Sequence, residues 1–196
     1  MSKVNPILLD FPDAFETERL LIRSPMPGDG PALNEAVVES LDSLRPWMPW
    51  AQTAPTVEAS EENVRKGRVR FLERSDLWLL LFLKGTNTMV GGSGLHRMDW
   101  DVPKFEIGYW CRSRFEGQGY ITEAVRGITA FAFSTLGAQR VMIRMDKRNV
   151  RSRAVAERVG YVLEGELRHD ARAVDGTLRN TLVFSMLPDE FRRLYG

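Results

Sequence analysis

The stretch Arg114-Phe115-Glu116-Gly117-Gln118-Gly119-Tyr120-Ile121-Thr122-Glu123-Ala124 has residue types and spacing suited to holding an anion. A strand-like run, Phe105 to Trp110, precedes it, and a helix-like run follows. Glycines at 117 and 119 let the backbone turn tightly with no Cβ in the way. Successive N–H groups in such a turn converge on one concavity, and the helix start behind them adds partial positive charge. Phosphate or pyrophosphate is the natural guest. The loop lacks a Gly-Lys-Ser/Thr ending, so it is no Walker A loop, and Thr122 stands where a dinucleotide fingerprint has its third glycine. Just upstream is Cys111, the single cysteine, a type that serves both as a packing residue and as a nucleophile. The two histidines, His96 and His169, are well separated and give no metal site.

The elements that position this loop follow from periodicity and turn chemistry. Residues 1–15, with Pro6 and Pro12, are expected to be an irregular arm. Thr17 to Ser24 sets Leu20 and Ile22 on one face and Arg19, Leu21 and Arg23 on the other, the alternation of a half-buried strand. Pro31 opens a helix in which Leu33, Ala36 and Val37 share a face. Leu41 to Trp50 is expected to be a short aromatic-rich piece broken by Pro46 and Pro49, and Val57 to Arg74 a charged amphipathic helix. Leu77 to Lys84, Met89 to Arg97 and Lys104 to Cys111 are three consecutive strands with turns at Gly85-Thr86-Asn87 and Asp99 to Pro103. Gly91, Gly92 and Gly94 inside the middle strand suggest bulges or close backbone approach. Tyr120 to Leu136 is a helix closed by Gly137, Arg140 to Met145 a strand, and Asn149 to Val159 a short helix ended by Gly160. Tyr161 to Arg168 and Thr177 to Leu187 form a last hairpin around Asp175-Gly176, before a C-terminal tail.

Composition bounds the answer. With 196 residues, 43% hydrophobic and 27% charged, the chain suits one globular α/β domain spanning 1–196. A net charge of +1 supplies no field to attract nucleic acid or an anionic membrane. One cysteine excludes an internal disulfide. Residues 1–13 lack the pattern of a signal peptide, and the apolar run Leu77 to Leu83 is too short to span a bilayer. A cytoplasmic protein is expected.

The loop's Arg-x-x-Gly-x-Gly resembles the acyl-CoA pyrophosphate loop of the GNAT N-acetyltransferase superfamily. Asn149-Val150-Arg151-Ser152-Arg153-Ala154-Val155-Ala156-Glu157-Arg158-Val159-Gly160-Tyr161 resembles the segment that follows the family's fifth strand. Leu44-Arg45-Pro46-Trp47-Met48-Pro49-Trp50 and Glu106-Ile107-Gly108-Tyr109-Trp110 are similar to the RimJ/RimL branch, the ribosomal-protein N-terminal acetyltransferases. The resemblance covers nearly the whole chain. It implies a GNAT fold: a mixed, mostly antiparallel sheet of about seven strands flanked by helices and splayed between strands four and five.

The same resemblance implies a site. Acetyl-CoA would be the co-substrate, with its pantetheine arm between the strands Lys104 to Cys111 and Arg140 to Met145. Its pyrophosphate would meet Gly117, Gln118, Gly119, Tyr120, Ile121 and Thr122, with charge from Arg114 and possible help from Arg151 and Arg153. The thioester would lie near Tyr109, Trp110 and Cys111. Asn149 has the type of an N-cap, and the resemblance also sets its side chain on the pantetheine arm. Ser152 takes the family's place near the departing sulfur. The tyrosine that many members use as acid is replaced by Ala156, which leaves Ser152 or water as proton donor. Glu106 is the expected general base, with His169 and Asp170 as rivals; the ribosomal branch's glutamate falls at Ala171. Trp47, Trp50 and His96 are expected at the acceptor mouth.

Neutralising an amine at pH 7 costs about 4.6 kcal/mol for a lysine and about 1.1 kcal/mol for an α-amine. A site with no unmistakable base therefore suits a protein N-terminus, attacked on the thioester directly. A small-molecule amine (polyamine, amino acid or aminoglycoside) and a non-catalytic CoA-binding module are the alternatives, and a homodimer is compatible with either enzyme.

Overall fold

A computed structural model describes residues 5–196. The elements run β1 (Ala14–Glu16), β2 (Leu20–Arg23), α1 (Gly30–Leu44), α2 (Val57–Leu72), β3 (Leu77–Leu83), β4 (Met89–Asp99) and β5 (Lys104–Cys111). Then come α3 (Tyr120–Ser134), β6 (Arg140–Asp146), α4 (Val150–Val159), β7 (Val162–Arg172), β8 (Leu178–Met186) and α5 (Pro188–Tyr195). The strands form one sheet in the order β1-β2-β3-β4-β5-β6-β8-β7. Every neighbour pair is antiparallel except β5 and β6, which are parallel.

Period-two alternation divides the core between the two faces of this sheet. In β3, Leu77, Leu79 and Leu81 pack toward Ile121, Ala124, Val125 and Ile128 of α3. Leu80 and Phe82 point the other way, toward Leu33, Ala36 and Val37 of α1 and Val64 of α2. A strand covered on both faces has to be apolar throughout, which is why 77–83 is an unbroken hydrophobic run. Among the described residues, no helix is long and apolar enough to cross a membrane.

Two expectations need correction. The arm expected over 1–15 contains a 3₁₀ turn, Pro6–Leu8, and ends in β1, whose Ala14 and Phe15 pair with Arg23 and Ile22. This makes eight strands; three residues are too few to show a period. The part of the arm before residue 5 lies outside the described residues. In addition, α1 runs on through Leu41 and Leu44, because Leu33, Val37, Leu41 and Leu44 continue one helical stripe that stops only before Pro46. The close approach expected at the glycines of β4 is present: a Cβ on Gly92 would lie 2.6 Å from the Trp110 indole nitrogen.

The pairing of β5 with β6 is short. Lys104, Phe105 and Glu106 pair with Arg140, Val141 and Met142. Beyond them β5 stays with β4 as far as Cys111, while β6 stays with β8 as far as Asp146.

Candidate active site

A cavity of about 1360 Å³ is lined by those later residues, Ile107 to Cys111 from β5 and Ile143 to Asp146 from β6. The start of α3 closes one side and α4 the other. At the α3 end, Gly117 and Gly119 adopt φ of +74° and +82°, left-handed conformations that a side chain would strain. The chain thereby enters α3 with none of the N–H groups from Gly117 to Thr122 bonded to any partner among the described residues. The loop presents a row of unbonded backbone donors, an arrangement suited to an anion.

Arg19, at the entrance to β2, holds the cradle in place. Its Nη1 donates to the Gln118 carbonyl at 3.0 Å, and its guanidinium lies 4.3 Å from the Tyr120 ring centroid. Its Nε donates to Glu123 Oε2 at 2.6 Å, and Glu123 also accepts from the Thr17 hydroxyl and the Arg19 backbone N–H. Burial pushes the Glu123 carboxyl pKa up, but these hydrogen bonds outweigh burial and hold it below the usual carboxylate range. Gln118 sends its side chain back to the Arg114 carbonyl. Arg114 itself does not line the cavity: its Nε donates to Glu39 Oε1 at 2.8 Å. Glu39 also accepts from the buried Arg112 at 2.8 Å. Bonds from Arg114, opposed by partial burial and reinforced by Arg112, hold Glu39 down at about 2. The charge expected of Arg114 is thus spent on α1. Arg151 lines the cavity and pairs with Glu116, whereas Arg153 pairs with Glu157 along the helix.

Asn149 caps α4, its Oδ1 accepting from the Ser152 N–H at 3.0 Å, and it also lines the cavity. Ser152 Oγ donates to the Tyr109 hydroxyl at 3.0 Å, and that hydroxyl donates to the Ser152 carbonyl at 2.8 Å. A phenol therefore does reach the first turn of α4, from β5 rather than from position 156, where Ala156 is fully buried. Burial pushes the Tyr109 phenol up to about 12, so it remains a proton-bearing group at neutral pH. Burial, with the charge of Glu116 adding to it, pushes the Cys111 thiol up to about 12 as well. A thiol so held is no nucleophile at neutral pH.

A second cavity, of about 650 Å³, lies against the opposite face of β5 and shares Met48, Gly108, Tyr109 and Trp110 with the first. Trp50 and His96 line it, along with Arg70, Asp76 and Trp78, while Trp47 lines the larger cavity. Glu106 lines neither. Its carboxylate accepts from Arg97 Nη1 at 2.8 Å, the strand-edge ion pair that a carboxylate at this position often makes. Asp170 accepts from Arg144 at 2.6 Å and His169 sits at φ +51° in the exposed β7; neither lines either of these two cavities. Among the described residues no group of three or more His, Cys, Asp and Glu could hold a metal.

Sequence reasoning missed Arg19, Arg70 and Asp76. Arg19 was visible only as an outward residue of a strand, and 99 residues separate it from Gln118. Asp76 falls between the expected helix, Val57 to Arg74, and the expected strand, Leu77 to Lys84, where nothing in the sequence singles it out. Its partnership with His96, 2.7 Å away, exists only once β3 and β4 are paired.

The acetyltransferase (GNAT) domain family matches residues 19–162. YdaF of Bacillus subtilis (strain 168), provisionally named a ribosomal N-acetyltransferase, is 31% identical over 175 residues, covering 89% of this chain and 94% of that protein. The ribosomal-protein-serine acetyltransferase of Escherichia coli (strain K12) is 28% identical over 125 residues, covering 62% and 69%. RimL, the ribosomal L7/L12 α-N-protein acetyltransferase solved with coenzyme A, shares the fold at a TM-score of 0.81 and 21% identity, over 89% of this chain and 97% of that one.

Proposed function

The chain belongs to the GNAT acetyltransferase family, and on that premise we propose that it transfers the acetyl group of acetyl-CoA to the α-amine of a protein N-terminus, by direct attack on the thioester. The observation that carries the reading is the row of free N–H groups from Gly117 to Thr122 at one end of a cavity whose other end holds the Tyr109–Ser152 pair. Acetyl-CoA would supply the activated acyl group. Gly117 to Thr122 hold its pyrophosphate, with Arg19 keeping the loop in register, and Asn149 faces the pantetheine arm. N–H groups of β5 beyond Glu106 are the candidates to polarise the thioester carbonyl. Ser152 and Tyr109 supply a protonated hydroxyl pair beside the departing sulfur.

The α-amine is favoured over a polyamine by Arg70. Its guanidinium has no ion-pair partner among the described residues and lines the smaller cavity, whose one carboxylate, Asp76, is engaged by His96, so no free carboxylate there receives a polycation. A ribosomal-protein N-terminus, the kind of acceptor that RimL's name gives, is the specific form of this reading, and it assigns the enzyme to the cytoplasm. The test is a panel of N-terminal peptides, their Nα-blocked forms with free lysines, polyamines and aminoglycosides, read by CoA thiol release and product mass. Acetylation of free N-termini but not of blocked peptides is expected. Preference for a polyamine or aminoglycoside would overturn the acceptor, and thiol release with none of the panel would overturn the enzyme reading.

A further inference from the structure

We infer that the 650 Å³ cavity is the acceptor pocket and that His96, oriented by Asp76, takes the proton from the acceptor ammonium there; this rests on the acetyltransfer reading above. His96 Nδ1 lies 2.7 Å from Asp76 Oδ2. A carboxylate can only accept, so Nδ1 carries a hydrogen and, in the neutral imidazole, the lone pair is on Nε2. Nε2 has no partner among the described residues, and the ring lines the cavity. Its seat is built into the backbone. Gly94 and Gly108 are directly paired across β4 and β5, and the ring lies against both. A Cβ on Gly94 would stand 3.0 Å from His96 Cε1, and one on Gly108 would stand 3.2 Å from Cδ2 and 3.4 Å from Nε2. The open nitrogen is thereby set over Gly108, one of the residues at which this cavity meets the larger one.

The charged groups around the ring are few. Asp76 lies just ahead of β3 and Arg70 projects from α2; Glu106, His96's register partner on β5, is neutralised by Arg97 of β4. His96 is thus the open base in the cavity, whereas Glu106 is engaged outside it. The acceptor ammonium gives one proton to Nε2. Its freed lone pair forms the N–C bond as the C–S bond breaks, and the electron pair of that bond leaves with sulfur. The nitrogen's second proton passes to the sulfur through the Tyr109 and Ser152 hydroxyls, and the imidazolium returns its proton to water.

His96→Asn keeps an N–H for Asp76 and removes Nε2. Near pH 7 its kcat/KM for an N-terminal peptide is expected to fall about 10²-fold. The wild-type acid limb should give way to a rise that follows the acceptor amine's own titration. Acetyl-CoA affinity by calorimetry should stay within about twofold, since His96 lies outside the larger cavity. Asp76→Asn should shift the same limb while Glu106→Gln leaves it in place. An unchanged limb in His96→Asn, an equal loss at every pH, or a loss of acetyl-CoA affinity would overturn the inference. Wild-type protein that binds acetyl-CoA yet acetylates no amine would instead overturn the acetyltransfer reading.

Discussion

At the scale of single residues, the pair Tyr109 and Ser152 shows how much a site depends on contacts that no local pattern contains. Both residues could be picked out from the sequence, but their mutual hydrogen bonds join positions 43 apart, and nothing short of the fold brings them together. Ser152→Ala is expected to lower kcat about tenfold or more while leaving acetyl-CoA KM within about twofold, the mark of an interaction made during thiolate departure. Steady-state kinetics of the single variant and of Tyr109→Phe check this; if both retain wild-type kcat, water protonates the sulfur. Tyr109→Phe also removes the bonds its hydroxyl makes with the Ser152 carbonyl and Oγ, so a loss of stability of about 0.5–1.5 kcal/mol should accompany it. Cys111 provides the opposite case. With its thiol pushed up to about 12, alkylation by iodoacetamide at pH 7.5 should be far slower than for a model thiol, and Cys111→Ala should retain activity.

Secondary elements were legible where they are long and periodic. The core stripes of α3 and the alternation of β2 and β6 could be read directly, while the three-residue β1 could not. The glycine loop was legible because left-handed turns demand glycine; the strap that fixes it was not, because it arrives from β2. Gly119→Ala tests the loop. Near Gly119 a Cβ would meet only Arg19, 3.5 Å away, so the penalty comes from φ of +82° rather than from crowding. It should amount to about 1–2 kcal/mol, and a flattened cradle should weaken acetyl-CoA in calorimetry. Glu123→Gln tests the strap. It keeps a side chain of the same shape but removes the charge that holds Arg19, and acetyl-CoA affinity is expected to fall about fivefold, roughly 1 kcal/mol. Affinity equal to wild type would show that the loop holds its shape unaided.

For the molecule as a whole, the order of elements and the mixed sheet were readable, and the final strand order was not. The closing hairpin could have docked through either strand; β8 lies against β6, leaving β7 as a largely exposed edge. Carboxylates tie these distant parts together. Glu39 joins α1 to the end of β5, and Glu164 joins β7 to Arg140 of β6, each held at about 2 by hydrogen bonds from arginine. A carboxylate depressed in the folded state adds stability above its unfolded value near ~4.3, and that stability is lost as pH falls toward about 2. Urea midpoints should therefore be level from neutrality to about pH 5 and decline from there to pH 2. Glu39→Gln should lower the neutral plateau and make the decline shallower; a midpoint that holds steady down to pH 2 would count against these ties.

Alternation along β5 has a further consequence. Tyr109 projects to the face of α3 and α4, and Trp110, its neighbour, to the face of α1 and α2. Under the acetyltransfer proposed above, the strand is a party wall, with the donor on one side and the acceptor on the other. Tenants on the two sides can then change independently. Substitutions at Asn63, Arg70 or Trp78 can redesign what is acetylated without disturbing what supplies the acetyl group, because those side chains border the smaller cavity alone. A library confined to that side should yield new acceptor preferences among variants whose hold on acetyl-CoA is unaltered, which makes this fold a vessel for changing specificity by half-measures.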